Sequence, residues 1–200
     1  VGLLGNAVLP ARAGELARFD VRFAAHPLAT ILHVLPGAVF LGLAPLQFSS
    51  RIRSRHIRFH RWSGRVLVLA ALITGVTGLY FGLFMPFGGP AEAIAIALFG
   101  GLLLVSVTQA FLAIRRHDVE RHREWMIRTF SLGIAVSTVR VVGPLFDVAL
   151  TPAGWSSSDL FALAVWTGWV VTVAFAEAWN RITRPESLRF TPLRSSRSKP

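Results

Sequence analysis

The 200-residue chain contains no cysteine, which excludes disulfide bonds, thiolate metal centres and cysteine-ligated iron–sulfur clusters. It also has no Gly-x-Ser-x-Gly nucleophile elbow, no phosphate-binding glycine loop and no His-Glu-x-x-His zinc pair. His56 and His60 are four residues apart and could chelate a metal on a helix, but no acidic third ligand lies near them. The sequence therefore predicts no catalytic residue and no metal site, and it gives enzymatic activity no support.

Negative charge is scarce, and lysine is almost absent. The chain has 21 basic residues, of which only Lys199 is lysine, against 10 acidic residues. A strongly basic protein could bind nucleic acid, but here the cations lie between long apolar runs and do not form one basic face. We therefore expect membrane lipids as partners, and no nucleic acid.

Long apolar runs dominate the chain, in which 53% of the residues are hydrophobic. Each run has about 20 residues, the length that an α-helix needs to cross a hydrocarbon layer of roughly 30 Å. The predicted fold is an all-α polytopic transmembrane bundle with five visible spans. The predicted spans lie near Leu28–Phe48, Val66–Phe87, Ala93–Ile114, Trp125–Leu145 and Leu160–Trp179.

The basic residues predict how the bundle is oriented. Of the 21 basic residues, 17 follow the first, third and fifth spans, whereas the connections at residues 88–92 and 146–159 contain none. The positive-inside rule assigns the basic connections to the cytoplasm. The predicted organisation is an outer-side N-terminal segment over residues 1–27, which could be the stub of an earlier span, a bundle over 28–179 and a basic cytoplasmic tail over 180–200.

The two basic loops inside the bundle resemble each other. Gln47 precedes His60 by 13 residues, and Gln109 precedes His122 by the same interval. This spacing predicts two parallel-repeat hairpins plus one helix, in which a pseudo-twofold axis along the membrane normal relates the two hairpins. Two Arg-rich loops can also resemble each other by chance. The predicted cytoplasmic-side cluster comprises Gln47, His60, Arg65, Gln109, His122, Arg128 and Glu177, the last in an ion pair with Arg128 or Arg65.

Arg140 lies inside the fourth apolar run, where a charged side chain costs about 2.5–3.5 kcal/mol to insert. It should face the protein interior, and His33, at a similar depth on the first span, is the predicted partner. Together with Tyr80 and Ser137, these residues predict an outer-side pocket for an anionic or quinone-like ligand. The alternative is that Arg140 bonds only to helix carbonyls and stabilises the fold.

Two further functions are compatible with the sequence. His60 and His122 could clamp a b-type haem for electron transfer, with Arg65 and Arg128 beside the propionates. Against this, both histidines adjoin Arg-rich loops, where a ring can instead cap a helix or meet a lipid phosphate. The chain could also be a structural subunit, either in a homo-oligomer or in a larger respiratory or photosynthetic membrane complex.

Several motifs occur in an order that resembles a known family. They are His33-Val34-Leu35-Pro36-Gly37, Gln47-Phe48, His60-Arg61-Trp62-Ser63-Gly64-Arg65, His122-Arg123-Glu124-Trp125-Met126-Ile127-Arg128, Arg140, and Trp169 with Glu177. From about residue 26 to 181 the chain resembles the bacterial multi-pass membrane protein family catalogued as domain of unknown function 2306. The resemblance implies an integral protein of the bacterial inner membrane, without an assigned activity and with a further upstream helix in many members.

Overall fold

The computed structural model describes residue 21 and residues 23–183, so the predictions for most of the N-terminal segment and for the tail from residue 184 lie outside it. It contains the helices α1 (Pro27–Gln47), α2 (Ser50–Arg55), α3 (Ile57–Phe84), α4 (Gly89–Arg115), α5 (Val119–Leu150) and α6 (Ser157–Thr183), with a 3-10 turn at Thr151–Ala153. No strand occurs within these ranges. Five helices, all except α2, are long and apolar enough to cross a membrane, which confirms the predicted all-α five-span fold.

The short helix α2 was not predicted, and it arises from a break after α1. The Ser49 hydroxyl accepts a hydrogen bond from the Ile52 amide at 3.4 Å and so caps a new helix. The Arg53 guanidinium donates to the carbonyls of Gln47 and Phe48, at 3.2 and 2.8 Å, and satisfies the end of α1. At the matching place in the second hairpin α4 runs on to Arg115, so the two hairpins differ at this end.

The five long helices pack as two hairpins and one additional helix. The helix α1 pairs with α3, α4 pairs with α5, and α3 packs against α4, while α6 packs against α5 and also contacts α4. We call the end that carries α2 and the α4–α5 connection the Arg-rich end. The other end, with the α3–α4 and α5–α6 connections, is the opposite end.

The interface between α3 and α4 depends on glycine. A Cβ on Gly75 would lie 2.7 Å from the Leu104 side chain, and one on Gly82 would overlap Ile96. The absence of side chains at these positions lets the two helix backbones approach closely, as small residues do in membrane bundles. The hairpins are thereby joined mainly through α3 and α4.

Candidate functional site

A cavity of about 200 Å³ lies between α4, α5 and α6, in the half of the bundle nearer the Arg-rich end. It is lined by Leu102, Ser106, Trp125, Arg128, Leu132, Val173, Ala176 and Glu177. Mostly apolar walls with a few converging polar groups are typical of small-molecule sites, although pockets for drug-sized ligands are larger, about 300–1,000 Å³. The cavity therefore suits a small molecule or the head group of a larger one.

An ion pair forms the polar side of this cavity. The Arg128 Nε and Nη2 atoms donate to the two carboxylate oxygens of Glu177, at 2.5 and 2.9 Å. The Arg128 guanidinium also lies 4.7 Å from the centre of the Trp125 ring, and its Nη1 is 3.9 Å from the Glu124 carboxylate. A two-pronged arginine–carboxylate pair has a defined geometry, and the cation–π contact restricts it further. Of the two partners predicted for Glu177, the structure selects Arg128.

Ser106 on α4 provides a second polar group in the wall of the cavity. The residue is only 2% exposed, and its hydroxyl, which makes no hydrogen bond within the part of the chain that the structure describes, is not one of the fully buried unpaired atoms and so is accessible from the cavity. A polar group without a partner in an apolar cavity is poorly solvated, and leaving such a group unsatisfied costs up to about 1–3 kcal/mol. A ligand atom that donates to or accepts from this hydroxyl would therefore gain stability by binding here.

The predicted cluster at the Arg-rich end is brought together only in part. His60 and His122 are close enough to interact electrostatically. Gln47, however, is buried and donates to the Ser63 hydroxyl at 2.7 Å, whereas Gln109 is exposed on α4. Arg65 is exposed, while Arg128 is held by Glu177, because α6 packs only beside the second hairpin. Equivalent residues of the two triplets therefore have different partners.

The two histidines also have different hydrogen bonds. The His122 Nδ1–H group donates to the Ala110 carbonyl at 2.8 Å. The Nδ1 atom of His60 is buried and has no partner among the described residues. At the 62-residue spacing of the repeat, Ala110 corresponds to Phe48, whose carbonyl already accepts a bond from Arg53. The insertion of α2 thus explains why His60 lacks the bond that His122 makes.

At the opposite end, the structure divides the predicted pocket between two sides. The His33 Nδ1 atom lies 3.2 Å from both the Thr74 carbonyl and the Thr77 hydroxyl of α3. Because a carbonyl only accepts, this nitrogen carries the proton. The Tyr80 hydroxyl, also on α3, is 3.5 Å from the Nδ1 atom of His26. His33 and Tyr80 therefore belong to one side of the bundle.

The predicted pairing of Arg140 with His33 is not formed. Arg140 is exposed on α5, and its guanidinium makes no hydrogen bond or ion pair with any residue that the structure describes. His33 instead donates to α3, its neighbour within the same hairpin. Ser137 is half-buried on α5, so it accompanies Arg140 and not His33. The Arg140–His33 pair is therefore absent, and a ligand-binding role of these residues stays a prediction.

Sequence reasoning missed the roles of Ser106 and Trp125. Trp125 begins the fourth predicted span, and its ring lies against Arg128 and lines the cavity. The three-residue spacing of Trp125 and Arg128 places both on one helix face and could have indicated this contact. Ser106 has no comparable signal, because a lone serine in an apolar helix usually bonds to its own helix backbone.

Comparisons with known proteins bear on the family alone. The family model described as "Predicted membrane protein (DUF2306)" matches residues 30–180, which is most of the chain. No curated protein and no solved structure matches the chain.

Proposed function

We propose that this chain, which belongs to the DUF2306 family of predicted membrane proteins, binds a small membrane-dissolved molecule with a quinone-like head group. The site is the cavity between α4, α5 and α6. The observation that carries this proposal is that the Ser106 hydroxyl, which has no hydrogen-bond partner among the described residues, lines the same mostly apolar cavity as the fixed Arg128–Glu177 pair. The tail of the ligand would extend from the cavity into the lipid.

The chemistry of the cavity favours a neutral polar head group over an ion. Arg128 is already balanced by Glu177, so an added charge would have to compete with an existing ion pair. A neutral carbonyl oxygen can instead accept from Ser106, and a flat ring can pack against Leu132 and Trp125. A quinone head combines these features at a size compatible with about 200 Å³.

We further propose that the protein lies in the bacterial inner membrane with its Arg-rich end and its C-terminal tail in the cytoplasm. The support is the charge distribution, since 17 of 21 basic residues fall on that side. The cavity then belongs to the cytoplasmic half of the membrane. Assembly into a homo-oligomer or a larger complex stays a prediction.

Titration with a decyl-tailed benzoquinone tests the binding proposal. Quenching of tryptophan fluorescence in the purified protein is expected to saturate, because Trp125 lines the cavity. Ser106→Ala removes one hydrogen bond and should weaken binding about fivefold. Ser106→Leu fills the cavity and should abolish saturable quenching.

Ser131→Ala is the matched control, because Ser131 is also a buried serine but does not line the cavity. It is expected to leave the dissociation constant unchanged. Equal affinities for the natural protein and Ser106→Leu would contradict the proposal.

Haem binding is a second candidate, supported by the hydrogen bond of His122. Metal-bound imidazoles usually donate their other ring N–H group to a carbonyl or carboxylate, as His122 does to Ala110. His60, whose buried Nδ1 atom has no partner among the described residues, would be the other ligand. Arg128, in contrast, is engaged by Glu177, so its predicted role beside a propionate would require that pair to open. Bound haem would supply one-electron transfer.

An absorption spectrum tests haem directly. If haem is bound, protein expressed with a haem precursor should show a Soret band that His60→Ala and His122→Ala each remove almost completely. His56→Ala is the control, because His56 is exposed in the same loop region. A colourless protein under these conditions rejects haem.

A further inference from the structure

We propose that the exposed face of α3 at the Arg-rich end binds an anionic phospholipid. Its phosphate pairs with Arg58, Arg61 and Arg65, and its acyl chains lie along the apolar part of the same face. The face belongs to the first hairpin, so this site is separate from the cavity of α4, α5 and α6 and does not depend on the ligand proposed there.

The three arginines lie on one side of the helix. Arg58, Arg61 and Arg65 are three and four residues apart, a spacing that places side chains one above another on an α-helix. All three are exposed. On the other side of α3, Ser63 is 1% exposed and accepts a hydrogen bond from Gln47 of α1 at 2.7 Å. The arginines therefore face away from the neighbouring helices, over a rise of about 10 Å.

No carboxylate of the described chain balances these arginines. None of the three makes a hydrogen bond or ion pair with a residue that the structure describes. The sequence from residue 21 to residue 91 contains no aspartate and no glutamate. Because a guanidinium stays charged in proteins, three permanent positive charges lie together on one face and attract an anion from outside the chain.

The second hairpin shows what the first one lacks. At the 62-residue spacing of the repeat, His56, Arg58 and Trp62 correspond to Asp118, Glu120 and Glu124. Residues 51–65 contain six arginines and no acidic residue, whereas residues 113–127 contain four arginines and three acidic residues. The positive-inside rule counts basic residues and depends little on acidic ones. It therefore explains the arginines of both hairpins, but not the absence of carboxylates from the first.

The same face of α3 continues as an apolar surface. Leu69, Val76 and Leu83 follow Arg65 at intervals of four, seven and seven residues, so they lie on the side that carries the arginines. They are 59%, 57% and 45% exposed. Trp62, also on this side, is 63% exposed, as is typical of an indole at the level of the head groups. Cations followed by an apolar surface match the two parts of an anionic phospholipid.

Protein segments match this face poorly. The tail from residue 184 has five basic residues and one acidic residue, so it is repelled. A second copy inserted in the same direction presents its own Arg-rich end, where the described acidic residues are Asp118, Glu120, Glu124 and Glu177. Asp118 pairs with Arg121, and the last two pair with Arg128, so only Glu120 is available to three arginines.

Fluorescence quenching in phosphatidylcholine vesicles tests the site. Because the chain has no cysteine, Leu69→Cys can be labelled specifically with bimane at the apolar part of the face. Doxyl-labelled phosphatidylglycerol and doxyl-labelled phosphatidylcholine are compared as quenchers. We expect phosphatidylglycerol to bind more tightly at residue 69. Arg61→Gln should lower this preference about fivefold, the effect of one cation worth about 1 kcal/mol.

Arg123→Gln is the matched control, because Arg123 occupies the equivalent position of the second hairpin and donates to the Thr183 hydroxyl. It removes the same charge from the same end of the protein and should leave the preference at residue 69 unchanged. Bimane at Val105→Cys, on the exposed face of α4, reports the lipid away from α3 and should show little preference.

Three results would overturn the proposal. The first is equal quenching by both lipids at residue 69. The second is an equal loss of preference in Arg61→Gln and Arg123→Gln, because the effect would then come from the overall charge of the Arg-rich end. The third is a preference that appears only after Glu120→Gln, because a second copy would then fill the face in the natural protein.

Discussion

Replacing Gly82 with valine is expected to destabilise the protein by about 3 kcal/mol, the upper part of the usual range for overpacking. The first added atom, Cβ, would overlap the Ile96 side chain, including its own Cβ atom. A different Ile96 rotamer cannot relieve this overlap, because the Cβ atom does not move with the rotamer. The backbones of α3 and α4 must therefore separate. A lower midpoint of thermal unfolding in detergent would report the loss.

Gly101→Val on α4 is the matched control for this substitution. No atom lies within 4 Å of the Cβ position of Gly101, and both glycines are within helices. The change in intrinsic helix preference is thus the same for both, and only Gly82→Val adds a clash. Similar unfolding midpoints for the two variants would show that the α3–α4 contact is looser than described.

The number of spans was predictable because it depends on a local property of the chain. A run of about 20 apolar residues is long enough to cross the hydrocarbon layer as a helix, whatever the other helices do. The ends of the helices were less predictable, because they depend on single hydrogen bonds. The helix α2 depends on the Ser49 cap and on the bonds from Arg53 to the last carbonyls of α1. A hydropathy profile reports neither of these hydrogen bonds.

The sequence predicts the level of each site residue along its helix, but it does not predict which neighbouring helix the side chain faces. Counting residues places Glu177 and Arg128 near the same level, and it places His33 and Arg140 near another. The first pair forms because α6 packs directly on α5. The second does not, because the His33 ring donates to α3, and α1 packs far more extensively on α3 than on α5. Rotation about the helix axis is set by packing, and one sequence does not reveal it.

The pseudo-symmetry of the hairpins was visible in the spacing of the histidines, but its limits were not. The sixth helix contacts only the second hairpin closely, so Arg128 finds a carboxylate and Arg65 stays exposed. A repeat in sequence therefore predicts similar backbones, and the extra helix then gives equivalent residues different partners. This asymmetry concentrates the candidate site in one half of the bundle.

Thiol labelling in spheroplasts should give an all-or-none result for the orientation of the bundle. Because the chain has no cysteine, a single introduced residue is the only reactive thiol, and the natural protein is a blank. Ala153→Cys at the opposite end and Ser54→Cys in α2 both replace exposed residues. A maleimide that cannot cross membranes should label the first variant in intact spheroplasts and the second only after lysis.

We expect this labelling pattern because clustered arginines stay on the cytoplasmic side when a membrane protein is inserted. The six arginines of the α1–α3 connection and the start of α3 make Ser54 the most strongly determined position. Labelling of Ser54→Cys before lysis would show that the orientation of the bundle is the reverse of the one proposed. The Arg128–Glu177 cavity would then lie in the outer half of the membrane.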